Sequence, residues 1–347
     1  MEINERLEKT LADLSSVKGV DLLSTKSDEA MNTTNTATLV SETVGTLKVD
    51  ENDLTNVSKL YGNIIDMPTD KYVVPMAGQK PTFYKVLENG DVPWTAGKTS
   101  KQAFSKVELN AERIQATIYV SKDLVENTRF DLVWFINTAT KEAFAEGQDE
   151  LLLNGDKTAT ATWNVNSDDA APAWDELFLI ADGLRKQAIV DGNVIDAGVL
   201  ELADFRALRA KLGKKGLKVN KLKYLAGYET YFEILGLSPV ETVEKFGAAA
   251  TVVNGVLSKI DWIDLVPVAI EKTDVDGKIN TVDTASNTKG TILCVHNDGV
   301  LRGIFDNIAF YNSFIAKTQQ YEIVASASIA QTIMSGYVAM AKNITLS

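Results

Sequence analysis

Cysteine and histidine are nearly absent from this 347-residue chain, which has one of each. A lone Cys294 excludes an intrachain disulfide and any zinc site built on several thiolates. A lone His296 excludes every metal site or proton relay that needs two imidazoles in one subunit. Long apolar runs are missing too. The ~18–20 apolar residues that span a bilayer are nowhere approached. Leu177-Phe178-Leu179-Ile180-Ala181 is short, and the stretch from Ala325 to Ala341 is broken by Ser326, Ser328, Gln331, Thr332 and Ser335. No membrane segment is expected. The opening Met1-Glu2-Ile3-Asn4-Glu5-Arg6 lacks the basic-then-apolar pattern of a secretory leader, so synthesis in the cytosol is expected. Positive charge is scarce: 35 Lys and Arg against 47 Asp and Glu give a net charge of −12. That balance argues against an obligate DNA-coating protein, which needs surplus cations to displace counterions. Dinucleotide-binding and nucleophile-elbow glycine motifs are also missing.

What is present is a folded protein's composition, 45% hydrophobic and 24% charged, long enough for two domains or more. Ile3, Leu7, Leu11 and Leu14 give a narrow helical stripe. A Thr- and Asn-rich arm follows around Met31 to Thr38, and a short helix is expected within Asp53 to Tyr61. Tyr72 to Met76 and Phe83 to Leu87 are expected strands. After the turn signal Asn89-Gly90 come Trp94 and a polar tip with Lys98 and Lys101. A return strand carries Phe104, Val107, Leu109 and Ile114 to Val120. Residues 78–111 therefore form an extended β-excursion with too little apolar surface to be stable alone. Such an arm finds its partner on another chain.

Asp131 is the expected N-cap of a long helix to Leu153, with Asn154-Gly155 as its left-handed stop. Helices are expected over Trp174 to Val190 and Asp204 to Leu212, the latter stopped by Gly213. Strands are expected over Val194 to Leu200, Trp262 to Val268 and Thr291 to Val295, with a hairpin turning at Asp276-Gly277 and a β-rich ending.

Four constellations resemble chemistry, and each has a plainer reading. Ala96-Gly97-Lys98-Thr99 resembles the tail of a phosphate loop, but Val92 stands where the first glycine is needed, so a solvated hairpin tip is favoured. Asp274, Asp276 and Gly277 resemble part of a calcium loop. Lys272 replaces its first carboxylate and Asp283 its last Glu, which favours a simple turn. Cys294 and His296 share a strand face, but backbone positions ~7 Å apart favour a buried thiol and an ordinary imidazole over a dyad. Arg206, Arg209, Lys211, Lys214, Lys215, Lys218, Lys221 and Lys223 form a basic cluster. It lacks the interleaved aromatics of a single-strand binder, which favours a solvated face or a contact with an acidic neighbouring subunit. No catalytic, cofactor or metal residue is assigned.

The order of elements is more telling than any motif. The stretch from Glu108 to Thr128, a return strand running through Ile114-Gln115-Ala116-Thr117-Ile118-Tyr119-Val120 into Ser121-Lys122-Asp123-Leu124-Val125, leads into the long helix ending Leu152-Leu153-Asn154-Gly155-Asp156. This resembles the major capsid proteins of tailed bacteriophages of the Hong Kong 97 type. The resemblance implies an α+β Hong Kong 97-like phage capsid fold with an N-terminal helix and arm (1–77) and an extended loop (78–111). It further implies a peripheral domain with a long spine helix (112–172 and 268–347) and an axial domain (173–267). It implies an icosahedral head of pentamers and hexamers enclosing double-stranded DNA without sequence-specific binding, and a virion location after assembly in the host bacterial cytoplasm. Portal, scaffold and decoration proteins are the implied partners; no cofactor is implied and no enzymatic activity is expected. Asn89, Gly90, Trp94, Lys98 and Lys101 of the extended loop are the expected inter-subunit contacts. Some members of that family cross-link a loop lysine to a neighbour's asparagine. Lys98 and Lys101 occupy the tip, but no partner Asn is identified, and a solvated lysine is the plainer reading. Two rivals stand beside this one: an encapsulin-like compartment shell, and a soluble α/β enzyme with a carboxylate site.

Overall fold

The computed structural model describes residues 57–61, 64–78, 81–83, 104–127, 132–160, 164–166, 171–237, 250–253, 256–281 and 283–346. The expected N-terminal helix and the Thr- and Asn-rich arm lie outside them. In chain order the elements are α1 (Val57–Leu60), β1 (Ile64–Asp66), β2 (Lys71–Ala77), β3 (Phe104–Asn110), β4 (Glu112–Ser121), α2 (Lys122–Asn127) and α3 (Leu132–Asn154). Then come α4 (Leu184–Val190), β5 (Val194–Asp196), α5 (Leu202–Lys211), β6 (Leu222–Ala226), α6 (Tyr228–Leu235), β7 (Ala250–Val253), β8 (Val256–Ile260) and β9 (Ile263–Pro267). The chain ends with β10 (Lys289–His296), β11 (Val300–Ile315), β12 (Gln320–Ile333) and β13 (Val338–Thr345).

Two sheets organise the molecule. The first has the order β1-β11-β12-β4. Along β4, Ile114, Ala116 and Val120 are buried while Arg113 and Gln115 are exposed, the period-2 pattern of a sheet wet on one face. The buried set packs with Phe310, Ile323 and Ala325 against Ile136 of α3, and with Ala327 and Ile329 against Leu151 at its far end. At 23 residues, α3 is about 35 Å long. Ser121 accepts the Leu124 N–H at 3.2 Å and so starts α2.

The second sheet has seven strands in the order β5-β13-β10-β6-β9-β8-β7. Its interior strand β10 is buried on both faces, as its unbroken apolar run requires. Ile292 and Cys294 face a core with Phe205 and Leu208 of α5 and Tyr231 and Ile234 of α6. Leu293 and Val295 face the other core, with Val57 of α1, Leu152 and Leu153 of α3, and Leu184 of α4. The segment 268–347, expected as one part of the peripheral domain, divides between the sheets. Strands β11 and β12 build the first sheet, whereas β10 and β13 complete the second. The end of α3 is packed between them.

Several expectations fail for tertiary reasons. Gly155 does not stop α3 through a left-handed conformation. It is glycine because the chain crosses there: a Cβ would lie 2.2 Å from the Ala181 carbonyl oxygen. Gly183, which donates to the Gly155 carbonyl at 2.7 Å, is crowded in the same crossing, and this breaks the helix expected over Trp174 to Val190. Only Leu184–Val190 is α-helical, preceded by a short 3-10 turn at Leu177–Leu179. The strand expected to Leu200 ends at Asp196, and the one expected from Trp262 begins at Ile263. The Asp276-Gly277 turn forms, with Gly277 at φ +80°, but no strands flank it. Phe83 lies in no strand, and the rest of that expected strand is outside the described residues.

Candidate functional site

The stem of the expected extended loop is a two-stranded ribbon. Strands β2 and β3 pair antiparallel from Lys71↔Asn110 to Ala77↔Phe104. One face is anchored: Leu109 is fully buried and packs with Met67, Ala330, Tyr72 and Val74. The Ala111 N–H donates to the Asp70 carbonyl at 2.8 Å, and the Thr332 hydroxyl donates to the Glu108 carbonyl at 3.0 Å. The anchored face thus fixes where the ribbon leaves the body. The other side is open. Among the described residues β2 pairs only with β3, which is why Pro75, having no N–H, is tolerated there. Val73 is half exposed, and Phe83, beyond the stem, is 96% exposed. Asn89, Gly90, Trp94, Lys98 and Lys101 lie outside the described residues, as does Ala96 to Thr99.

The four-stranded sheet offers a second surface. Strand β1 pairs only with Arg302 to Ile304 of β11, so among the described residues the rest of that 16-residue strand has no neighbour on its outer side. Exposed Tyr311 and Phe314 lie along it, the latter with its ring 4.9 Å from Tyr321 at the hairpin end. Unpaired edges and exposed aromatics are what a monomer avoids and an assembling subunit uses.

Residues 52–196 match the model of the Phage capsid family. A curated relative, the "Major capsid protein" of Escherichia phage T5, is 22% identical over 205 residues, 56% of this chain but only 42% of that protein's length. A solved chain of Microbacterium phage Oxtober96 superposes with a TM-score of 0.62 at 17% identity, covering 91% of this chain and 99% of the other. The capsid of an empty GTA particle, with C5 symmetry, gives a TM-score of 0.53 at 10% identity over 92% and 100%. This is a Hong Kong 97-type phage capsid fold.

Within this capsid fold the chemical look-alikes that fall on described residues resolve into structure. Asp274 of the calcium-like loop accepts the N–H groups of Asp276 (2.8 Å) and Lys278 (2.9 Å), so it closes a turn. Lys272 pairs with Glu229 at 2.7 Å. Among the described residues no three His, Cys, Asp or Glu side chains are grouped to hold a metal ion. Cys294 is buried in the core, and burial pushes its thiol well above the usual range. His296 turns away to its own loop: its Nδ1 accepts the Asp298 N–H at 3.3 Å, and its ring meets Tyr337 edge-on at 5.4 Å. Burial, aided by Lys221, Lys218 and Lys215, pulls the His296 pKa below its ordinary value, while Asp298 opposes this.

At least three of the eight residues of the basic cluster have partners within the subunit. Arg209 pairs with Asp261, Lys221 with Asp298 at 2.5 Å, and Lys215 lies over the Tyr337 ring at 3.3 Å while donating to the Gly336 carbonyl.

Sequence reading missed a buried polar knot where the spine helix ends. Arg185, wholly buried, donates to Asn154 Oδ1 at 2.8 Å and to the Gly277 carbonyl at 2.5 Å. Beside it Lys186 pairs with buried Asp156 at 2.9 Å, and Asp156 accepts the Val165 N–H at 2.8 Å. This knot ties α3, α4 and the 274–278 turn together. The Asn154-Gly155-Asp156 triplet was visible in sequence, but its partners farther along the chain were not.

Proposed function

We propose that this chain is the major capsid protein of a tailed bacteriophage, assembling with copies of itself into an icosahedral head around double-stranded DNA. The observation that carries this reading is the ribbon of β2 and β3. It is anchored at its base and open along one side, on a body with the capsid fold, and 26 residues (78–103) separate its two strands in the sequence. Two arms of 13 residues reach roughly 43 Å when extended, farther than the stem itself, so the excursion can cover a neighbour. In this reading 78–111 is the extended loop. The four-stranded sheet with α3 is the peripheral domain, and the seven-stranded sheet is the axial domain in pentamers and hexamers. Asn89, Gly90, Trp94, Lys98 and Lys101 are then loop contacts between subunits. Portal, scaffold and decoration proteins are the expected partners, assembly takes place in the host cytoplasm, and no catalytic step is required. Many modest symmetric contacts give such a shell its stability.

Negative-stain microscopy of the purified protein tests this: closed particles are expected. A monomer at every concentration, with scaffold supplied, overturns it. Deleting Gly90 to Lys101 is expected to leave the subunit's melting temperature within a few degrees and to abolish or deform particles. Normal particles from the deletion variant would remove the loop's role.

A further inference from the structure

Strands β8 and β9 are joined by the two-residue turn Asp261-Trp262, and both residues have positive φ, +49° and +69°. Hairpin turns of that kind favour Asn-Gly, because a bulky side chain at positive φ is strained. Here the second position holds a tryptophan, and its side chain gains little from the body, being 57% exposed. The turn is held by the Arg209–Asp261 ion pair at its first residue. An aromatic side chain displayed on a strained turn points to a contact outside the subunit.

The opposite end of the same strands offers a recess. Strands β6 and β9 run parallel, from Lys223↔Asp264 to Ala226↔Pro267. Trp262 lies two residues before Asp264. Just past the far ends of these strands, Gly227, Tyr228, Ala269 and Ile270 join Gly290 and Leu346 around a cleft of about 330 Å³. Its rim carries Glu229, Glu271 and Lys272. The two features are separated by five strand residues, roughly 17 Å. Charge agrees as well. Lys218 adds positive charge beside the neutralised Lys221–Asp298 pair at the tryptophan end, and Glu271 adds negative charge beside the Glu229–Lys272 pair at the cleft.

We propose that Trp262 of one subunit inserts into the Gly227–Tyr228–Ile270–Leu346 cleft of the next copy, making a head-to-tail contact that closes the capsomer ring. A projection at one end and a recess at the other end of one domain make a heterologous pair, and heterologous pairs form rings when the rotation closes. The contact rests on the shell reading above.

The test uses the full chain. Trp262→Gly relaxes the turn, so the subunit's melting temperature is expected to hold or rise. The concentration needed for particle formation should increase about thirty-fold, the loss of one interface anchor. A second variant, Trp262→Cys with Tyr228→Cys, is expected under oxidation to give a covalent ladder ending at five or six copies, with neither single variant doing so. The separation of roughly 17 Å along the strands prevents the bond from forming within one chain. Wild-type particles together with unchanged Trp262→Gly assembly, or no ladder from assembled double variant, overturn the contact and leave the shell reading standing. A wild-type chain that never assembles overturns both.

Discussion

Arg185 is the largest fully buried side chain among the described residues, and its surroundings explain how a guanidinium survives there. Burial pulls its pKa down to about 10, against the pull of Glu271, Asp274 and Asp156. Its bonds to Asn154 and Gly277 replace water at the terminus of α3. Arg185→Met keeps the apolar stem but strands two buried acceptors. Urea unfolding of the subunit should show a loss of about 2–4 kcal/mol, and a loss below about 1 kcal/mol would mean the knot is incidental. His296 supplies a pH signature. Its folded pKa lies below the ordinary value near 6.5, so the unfolded chain takes up the proton first. Stability from this group is complete above about pH 6.5 and falls as pH drops through the window down to the folded pKa. Protonating Nδ1 also costs the Asp298 N–H its acceptor. Between pH 8 and pH 5 the wild type should therefore lose more stability than His296→Asn, because the native imidazole takes up its proton later than the unfolded one. Identical pH slopes in urea titrations would refute this.

Among the elements, the ribbon of β2 and β3 and the strand β10 make the sharpest contrast. β10 is enclosed by cores on both faces. Among the described side chains of the ribbon one, Leu109, is fully buried, with Tyr72 and Val74 only partly so. Local opening of the ribbon should therefore be far easier than opening of the central sheet. Leu109→Ala removes the anchor at a cost of about 2–4 kcal/mol. Hydrogen exchange should quicken over 71–77 and 104–110 while β10 amides keep their protection. Uniform quickening across both elements would show that the ribbon is not an independent unit. Gly155 and Gly183 act at the same scale. Their bare backbones let the end of α3 cross the start of α4, which sets where the two sheets meet.

For the whole molecule, charge and exposure set the behaviour. A net charge of −12 opposes adhesion to nucleic acid, and three residues of the cationic cluster that could counter it are engaged by Asp261, Asp298 and Tyr337. The protein should cause no gel shift of duplex DNA at about 150 mM salt; retardation at micromolar protein would contradict this reading of its charge. Four of the exposed aromatics, Phe83, Trp262, Tyr311 and Phe314, lie beyond the β2 stem, at the β8–β9 turn and along the β11–β12 hairpin.

The sequence alone determined what depends on neighbours along the chain. The 3.6-residue stripe made α3, alternation made β4, the unbroken apolar run made β10, and Gly213 stopped α5 at φ +57°. Only the tertiary structure decided what depends on distant segments. The crossing at Gly155 and Gly183 shortened a helix that periodicity favoured. The split of 268–347 between two sheets followed from which strands could bury both faces. Arg185 found its acceptors at 154 and 277, and the β8–β9 pairing, not local preference, turned Trp262 outward. Local periodicity is a property of a few side chains in a row, whereas crossings, buried charges and strained turns are settled by packing against residues far away in the chain.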